Sequence, residues 1–230
     1  MNPINPTVFE IKSVEVVYKA DFSPPIFEIA LSEIQSKFLK SLCQEFNIKF
    51  RDFVFNNQAI STNLIFFRRP LSNPFSYFDS LIGVDEFQTV CSNPKTEIES
   101  WMLTLKVLDN LGKLVDLKFN KQTLIIKLHC SSENISYAKF IDSINKYTSK
   151  EDIIISKGVS FVIRTPWPGV VLNINFERSI FVDDGPFILI QAFYDESIQD
   201  YKDIFTDIIS FLINKIESLF KIRINYEGRS

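Results

Sequence analysis

The feature that most restricts the fold of this chain is an order of segments that occurs twice. Short runs of apolar and β-branched residues, separated by turn residues, are followed by apolar residues at three- and four-residue steps. The runs are typical of antiparallel strands, and the stepped residues are typical of an amphipathic helix. Because a sheet and a helix bury their apolar faces against each other, each occurrence predicts a β-meander covered by its own helix.

The two occurrences lie in the middle and in the last third of the chain. In the first, we predict a helix after Ser136, preceded by three strands at residues 101–108, 113–119 and 122–130. In the second, we predict a long helix from Ser197 onward, preceded by strands at residues 159–163, 170–176 and 187–194. The predicted fold class is therefore α+β: a mostly antiparallel sheet built from two β-meander-plus-helix modules, with a long C-terminal helix.

The part of the chain ahead of these modules contains further elements. Alternation predicts a strand over residues 8–20, and helical spacing over residues 26–46 predicts a helix, at least from Ser32 onward. Residues 26–31 fit a strand equally well. Short apolar runs predict strands at residues 50–55 and 63–67. Residues 70–94 contain three prolines and several serines and asparagines, which predicts a long loop.

The chain of 230 residues is long enough to bury a stable core without disulfides. We predict a single α+β domain over residues 1–230. Two pseudo-repeated lobes, at about 1–150 and 151–230, stay open as an alternative. Whether the two modules arose by a true duplication or by a chance similarity of two amphipathic β–α units also stays open, because few positions are identical when the modules are aligned.

The composition disfavours the enzyme classes that a sequence reveals. The chain has one histidine and six glycines, and it contains no Gly-rich phosphate loop, Gly-x-Ser-x-Gly, Cys-x-x-Cys or His-Glu-x-x-His motif. Alternation places His129 on the polar face of its strand, away from any second catalytic group. Glu177, Asp183 and Asp184 fit hairpin-loop chemistry better than a cation site. We therefore predict no enzyme activity, no cofactor and no metal.

Charge and hydropathy indicate the compartment and the kinds of partner. The net charge of −3, with acidic and basic residues intermixed, gives no reason to expect nucleic-acid binding. No apolar run reaches the ~20 residues that a membrane-spanning helix needs, and the first residues lack the pattern of a signal peptide. The three cysteines are odd in number and widely spaced, which favours free thiols in a reducing cytosol. We predict a cytoplasmic protein without membrane or nucleic-acid partners.

Aromatic residues supply the candidate interaction site. The chain has 23 phenylalanines, and residues 66–87 form an aromatic segment interrupted by proline that could present side chains to a partner. The alternative, that this segment folds back and fills the core, is equally open. The candidate interaction residues are Phe66, Phe67, Arg68, Arg69, Phe75, Tyr77, Phe78 and Trp167.

Several short motifs resemble those of one protein family. The stretch Pro24-Pro25-Ile26-Phe27-Glu28 resembles the N-terminal Pro-Pro-Ile-x-Glu signature of a sporadically distributed, uncharacterised bacterial family of about this length. Residues 107–115, residues 120–124 and the helix start at 137–140 are similar to the central segment of that family. The resemblance implies a bacterial β–α protein and supplies no catalytic residues. By association, the patchy distribution of the family implies a component of a bacterial defence or mobile-element system.

Three functional hypotheses follow from the residues. The first is a non-enzymatic module that binds a protein partner or a second copy of itself. The second is a sensor that binds a small molecule, a nucleotide or a lipid, in a cavity between sheet and helix. The third, an enzyme of an unrecognised type, has the least support.

Overall fold

The computed structural model describes residues 7–55, 63–71, 74–132, 134–144, 158–165, 167, 169–194, 214–215, 217–220 and 222–225. The α-helices whose bounds lie in these ranges are α1 (Ser32–Phe46), α2 (Glu97–Gly112) and α3 (Tyr137–Ile144). The strands are β1 (Thr7–Phe22), β2 (Phe53–Phe55), β3 (Asn63–Pro70), β4 (Tyr77–Gly83), β5 (Glu86–Ser92), β6 (Phe119–Ser131), β7 (Val159–Arg164), β8 (Val170–Arg178), β9 (Pro186–Tyr194) and β10 (Ile222–Asn225).

The ten described strands form one sheet, in the order β2-β3-β4-β5-β1-β6-β9-β8-β7. All neighbours in this order are antiparallel, and β10 pairs in parallel with the first residues of β1. The long strands β1 and β6 lie side by side at the centre. One meander, β2 to β5, extends outward from β1, and a second, β7 to β9, extends outward from β6.

The register of the central strand β1 with β6 shifts at two places, and the first shift keeps the apolar face of β1 on one side over its whole length. The shift between Ile11 and Ser13 lets Ile11 and Val14 point to the same side, although they are an odd number of residues apart. Without this bulge, alternation would turn Val14 and the apolar residues after it away from the core.

The described helices cover one face of the sheet. Trp101 of α2 packs edge-on against Tyr18 of β1, with the ring centroids 5.7 Å apart. Phe140 of α3 packs edge-on against Phe9 of β1, at 4.9 Å. Phe46 of α1 belongs to the same core cluster as these residues. The strands β4, β5, β6 and β9 bury alternate side chains under this helical layer and turn the others to the opposite face.

The structure is a sheet-rich α+β fold with a mostly antiparallel sheet, but the prediction of two β-meander-plus-helix modules is wrong. Residues 101–108 lie in α2 and not in a strand, and residues 113–118 lie in the connection from α2 to β6. The odd-numbered residues from Trp101 to Val107 are all apolar, so this part of α2 has the period of a strand as well as that of a helix. The signal that identifies the helix is the cap: Thr96 Oγ1 accepts a hydrogen bond from the Glu99 amide at 3.1 Å.

The prediction of a long C-terminal helix is also wrong as far as the structure describes that region. Residues 195–213, which carry most of the predicted helix, lie outside the described residues. Residues 214–215 and 217–220 are helical, but residues 222–225 form strand β10. Ile222 and Ile224 are buried on either side of the exposed Arg223, and this period of two is that of a strand paired with β1.

Residues 70–94 are not a long loop, because they contain the whole hairpin β4–β5. The buried face of this hairpin includes the polar residues Ser80 and Thr89, which interrupt the apolar alternation that would reveal it. The buried hydroxyl of Thr89 has its hydrogen-bond partner in a distant segment: its Oγ1 lies 2.8 Å from that of Thr104 in α2. None of the helices in the described ranges is long and apolar enough to cross a membrane.

Candidate functional site

Strand alternation divides the predicted interaction residues between the two faces of the sheet. Phe67 and Phe78 are fully buried beneath α1, where their ring centroids lie 5.6 and 6.0 Å from that of Phe46. These two residues fill the core, as the alternative interpretation of the segment required. Phe66 and Tyr77 lie on the opposite face of the sheet and are half-buried.

The two adjacent arginines point to opposite faces and do not form one anion site. Arg68 donates from Nε and Nη2 to the two carboxylate oxygens of Asp79, at 2.7 and 2.6 Å, and its guanidinium lies 4.3 Å above the ring of Tyr77. The hydrogen bond to Asp79 raises the pKa of Arg68 above its ordinary value. Arg69 lies on the helical side, with its guanidinium 5.6 Å from the ring centre of Phe46.

The other two candidates lie in turns at opposite sides of the sheet. Phe75, in the β3–β4 turn, is 80 % exposed. The Ser76 hydroxyl, which donates to the Asn93 carbonyl at 2.7 Å, ties this turn to the end of β5. Trp167, in the β7–β8 turn, is half-buried and packs against the core cluster. The structure therefore brings Phe66, Arg68 and Tyr77 together with one another, and it leaves Trp167 apart from them.

The side chains that alternate with the buried ones form a second surface, which we call the open face. One register row crosses this face over nine strands. At a strand spacing of about 4.8 Å, the row is about 38 Å long. It is apolar on β2, β3 and β4, polar in the middle, apolar again on β9 and β8, and ends on a charged residue of β7: Val54, Phe66, Leu81, Gln88, Lys19, Thr123, Phe193, Val171 and Arg164.

A neighbouring row has its apolar residues in the centre. Val90, Val17 and Ile125 are register partners on β5, β1 and β6. Val17 is only 4 % exposed although it lies on the open face, because its neighbours in the row shield it. Gln191 and Asn173 continue the row on β9 and β8 and place amide groups beside this apolar centre.

The open face pairs some of its charges internally. Besides Arg68 and Asp79, Lys127 donates to Glu15 across the β1–β6 border at 2.5 Å. Further basic and acidic side chains on the same face, such as Lys19 and Glu86, are intermixed. The face therefore lacks the concentrated positive charge that phosphate binding requires.

The open face also contains a histidine site whose partner the sequence did not reveal. His129 Nδ1 lies 2.8 Å from the Ser179 hydroxyl oxygen, which belongs to the loop between β8 and β9. The ring of His129 lies 4.6 Å from the rings of both Phe181 and Phe187. Alternation placed His129 on this face, but Ser179 lies 50 positions later in the chain, and no sequence signal indicates that the two residues meet.

The remaining reactive side chains of the described residues do not converge. No group of three histidine, cysteine, aspartate or glutamate residues could hold a metal ion in the ranges that the structure describes. The three cysteines are free thiols. Burial raises the pKa of Cys91 to about 12 and that of Tyr137 to about 12, so both side chains are held neutral.

A groove on the outer side of α1 is a second candidate site. Its volume is about 490 Å³. Leu39 and Phe50 form apolar walls, and Phe50 is 64 % exposed. Ser36, Gln35 and Lys40 add hydroxyl, amide and ammonium groups to the lining. The groove is a surface feature of the helical layer and does not lie between sheet and helix.

The fold and these sites define a sheet-rich α+β protein with one helix-covered face and one face that no described helix covers. Comparison with known proteins adds no family to this description. No protein-family model matches the chain, and the curated proteins include no match to it.

Proposed function

We propose that this chain is a non-enzymatic interaction protein that binds a protein partner, or a second copy of itself, through the open face. The observation that carries the proposal is the register row of nine strands with apolar residues towards both ends. Strands about six residues long give this face an area of roughly 750 Å². A stable protein interface buries about 800 Å² on each partner, so one such surface is wide enough.

The chemistry of the face favours a protein over a nucleic acid. Apolar and aromatic groups such as Phe66 and Phe193, with amides such as Gln191 beside them, resemble the centre of a protein interface. The internal ion pairs of Arg68 and Lys127 remove two of the cations that phosphates would need. Membership of a bacterial defence or mobile-element system stays a prediction from the resemblance alone.

Replacing Phe193 with lysine is expected to weaken association about tenfold or more in Kd. Phe193 is 40 % exposed in the apolar end of the row, and an interface there would bury the new ammonium group without a partner. Sedimentation equilibrium measures self-association. A photo-crosslinking residue at position 193 identifies a heterologous partner, whose affinity is then measured by calorimetry.

The matched control is Met102→Lys, because Met102 is 51 % exposed but lies on α2, in the helical layer. Equal weakening by both variants would show a general charge effect and contradict the proposal. The proposal would also be contradicted if the crosslinking yield from position 193 is no higher than that from position 102, both in purified protein and in extracts of the native host.

The groove on α1 favours a second candidate function, a small-molecule sensor. Its apolar walls and its ammonium group at Lys40 suit a small amphipathic anion. A ligand at about 100 times its Kd is expected to raise Tm by about 5–10 °C, because it binds only the folded state. Thermal-shift screening against nucleotides and fatty acids measures this effect.

Two variants assign a hit to the groove. Ser36→Trp would fill the groove and should abolish the shift. Gln44→Trp, at an exposed position of the same helix outside the groove lining, should leave it intact. A shift that survives Ser36→Trp, or a screen without any shift, would reject the groove as a ligand site.

A further inference from the structure

The loop between β8 and β9 presents two exposed apolar side chains at its tip. Ile180 is 86 % exposed and Phe181 is 73 % exposed. The loop is closed at its base by a hydrogen bond of 2.8 Å from the Ser179 amide to the Gly185 carbonyl. The side chain of Ser179 turns back into the loop and holds the tip by two further hydrogen bonds.

The hydroxyl of Ser179 has all its hydrogen-bonding capacity in use. Its oxygen accepts hydrogen bonds from the amides of Phe181 and Val182, at 3.1 and 3.0 Å. A serine hydroxyl has two acceptor sites and one donor proton. Both acceptor sites are occupied, so the proton is directed to the third neighbour, Nδ1 of His129, at 2.8 Å.

This arrangement requires one protonation state of His129. Nδ1 must be an unprotonated acceptor, so the ring is neutral and carries its proton on Nε2. A protonated ring would place a third donor, Nδ1–H, against an oxygen that already accepts two hydrogen bonds. One of the three contacts must then break, and the two amide contacts are those that hold the tip of the loop.

We propose that His129 and Ser179 form a pH-sensitive latch: protonation of His129 breaks the Ser179 contacts and releases the tip that carries Ile180 and Phe181. Phe187 stacks on the ring from β9, and Phe181 meets it edge-on from the loop itself. Release of the latch therefore also separates Phe181 from the histidine. The latch does not depend on whether the open face binds a partner.

The charged groups around His129 come from its own strand β6, from the neighbouring strand β1, from β8 and from the β8–β9 loop. Lys127 lies two residues before it on β6, and Glu15 lies on β1. Glu177 on β8 is the register partner of Phe187, and the loop contributes an ion pair of 3.5 Å between Arg178 and Asp183.

The direction of the pH dependence follows from the surroundings of the ring. Burial lowers the pKa of His129 below 6.5; Glu15 opposes this change, and Lys127 adds to it. The unfolded state thus takes up the proton at a higher pH than the folded state. The free energy of unfolding is therefore expected to fall as the pH drops from about 6.5 through the lowered pKa. The latch of the folded protein opens at the lower end of this window, around the lowered pKa of His129.

The test is direct because the chain has one histidine. Long-range ¹H–¹⁵N spectra of the full chain, recorded from about pH 8 to about pH 4.5, report the tautomer and the titration of His129. We expect the Nε2–H tautomer, a pKa below 6.5, and amide signals of Phe181 and Val182 that move with the same midpoint. A ring protonated on Nδ1 at neutral pH would overturn the latch. The latch would also be overturned if the amide signals of Phe181 and Val182 do not change with the titration of the His129 ring while the rest of the spectrum shows an intact fold.

Variants separate the latch from ordinary titration. Ser179→Ala removes the hydroxyl that donates to Nδ1, so the pKa of His129 should rise and the two amides should exchange faster with solvent at neutral pH. Ser160→Ala, on the exposed strand β7, should leave the ring and both amides unchanged. His129→Phe keeps an aromatic ring without a titrating group and should abolish the midpoint in both amide signals. Persistence of that midpoint in His129→Phe, or an unchanged pKa in Ser179→Ala, would also reject the latch.

Discussion

Replacing Phe67 with alanine is expected to lower the free energy of unfolding by about 3–5 kcal/mol. The side chain is completely buried, and its ring centroid lies 5.6, 5.5 and 6.2 Å from those of Phe46, Phe53 and Phe78. Removing the ring would leave a cavity between α1 and the outer strands, whose surrounding rings cannot collapse into it without losing their own contacts. Urea denaturation measures the change.

The adjacent residue is the matched control. Phe66 has the same side chain one position earlier, but it lies half-buried on the open face between Val54 and Leu81. Phe66→Ala should cost only about 1 kcal/mol, because little surface is removed from water there. Equal losses in the two variants would contradict the assignment of the two faces. If Phe67→Ala proves too unstable to study, Phe67→Leu gives the same comparison at a smaller volume change.

Replacing Gly185 with alanine is expected to cost about 3 kcal/mol or more. A Cβ atom at this position would lie 2.1 Å from the carbonyl oxygen of Cys130 and 2.7 Å from Cγ1 of Val182. The closest atom belongs to the backbone of β6, which the sheet holds in place, so the loop must move instead. Thermal or urea denaturation measures the loss, and amide signals of β6 and the β8–β9 loop should shift.

Gly112 at the end of α2 provides the control for this substitution. A Cβ atom there would meet only the end of the Leu117 side chain, at 3.4 Å, which is an ordinary contact. Gly112→Ala should change the free energy of unfolding by less than about 1 kcal/mol. A loss at Gly185 no larger than that at Gly112 would show that the loop does not pack against β6 as the structure has it.

The candidate site was predictable in part. The aromatic content of residues 66–87 marked a segment with surface side chains, and Phe75 is indeed exposed. Ending the predicted strand at residue 67 and reading residues 70–94 as a loop, however, removed the alternation that separates Arg68 from Arg69 and Tyr77 from Phe78. Once the segment is known to contain strands β3 and β4, the period of two assigns each residue to its face.

The groove and the latch could not be predicted in this way. The turn after α1 brings Phe50 to the outer side of that helix, and no local sequence pattern predicts the direction of this turn. Ser179 meets His129 because β8 and β9 pair next to β6, and strand order is a property of the whole sheet. The same reason explains why the polar Thr89 hid strand β5 from the sequence pattern, although Thr104 hydrogen-bonds to it in the structure.

What the amino-acid sequence determined by itself was local: alternation along β1, β6, β8 and β9, the stripe of α1, and the side of the strand on which His129 lies. These features follow from the period of the backbone and from burial of one face, which neighbouring residues suffice to express. The tertiary structure alone decided the use of residues 222–225 as a strand and the order in which two meanders join at β1 and β6. Together with the cap at Thr96, it also decided the helical state of residues 101–108. Each of these depends on which distant segment supplies the hydrogen bonds or covers the apolar side, and two periods fit the local pattern equally well until that partner is in place.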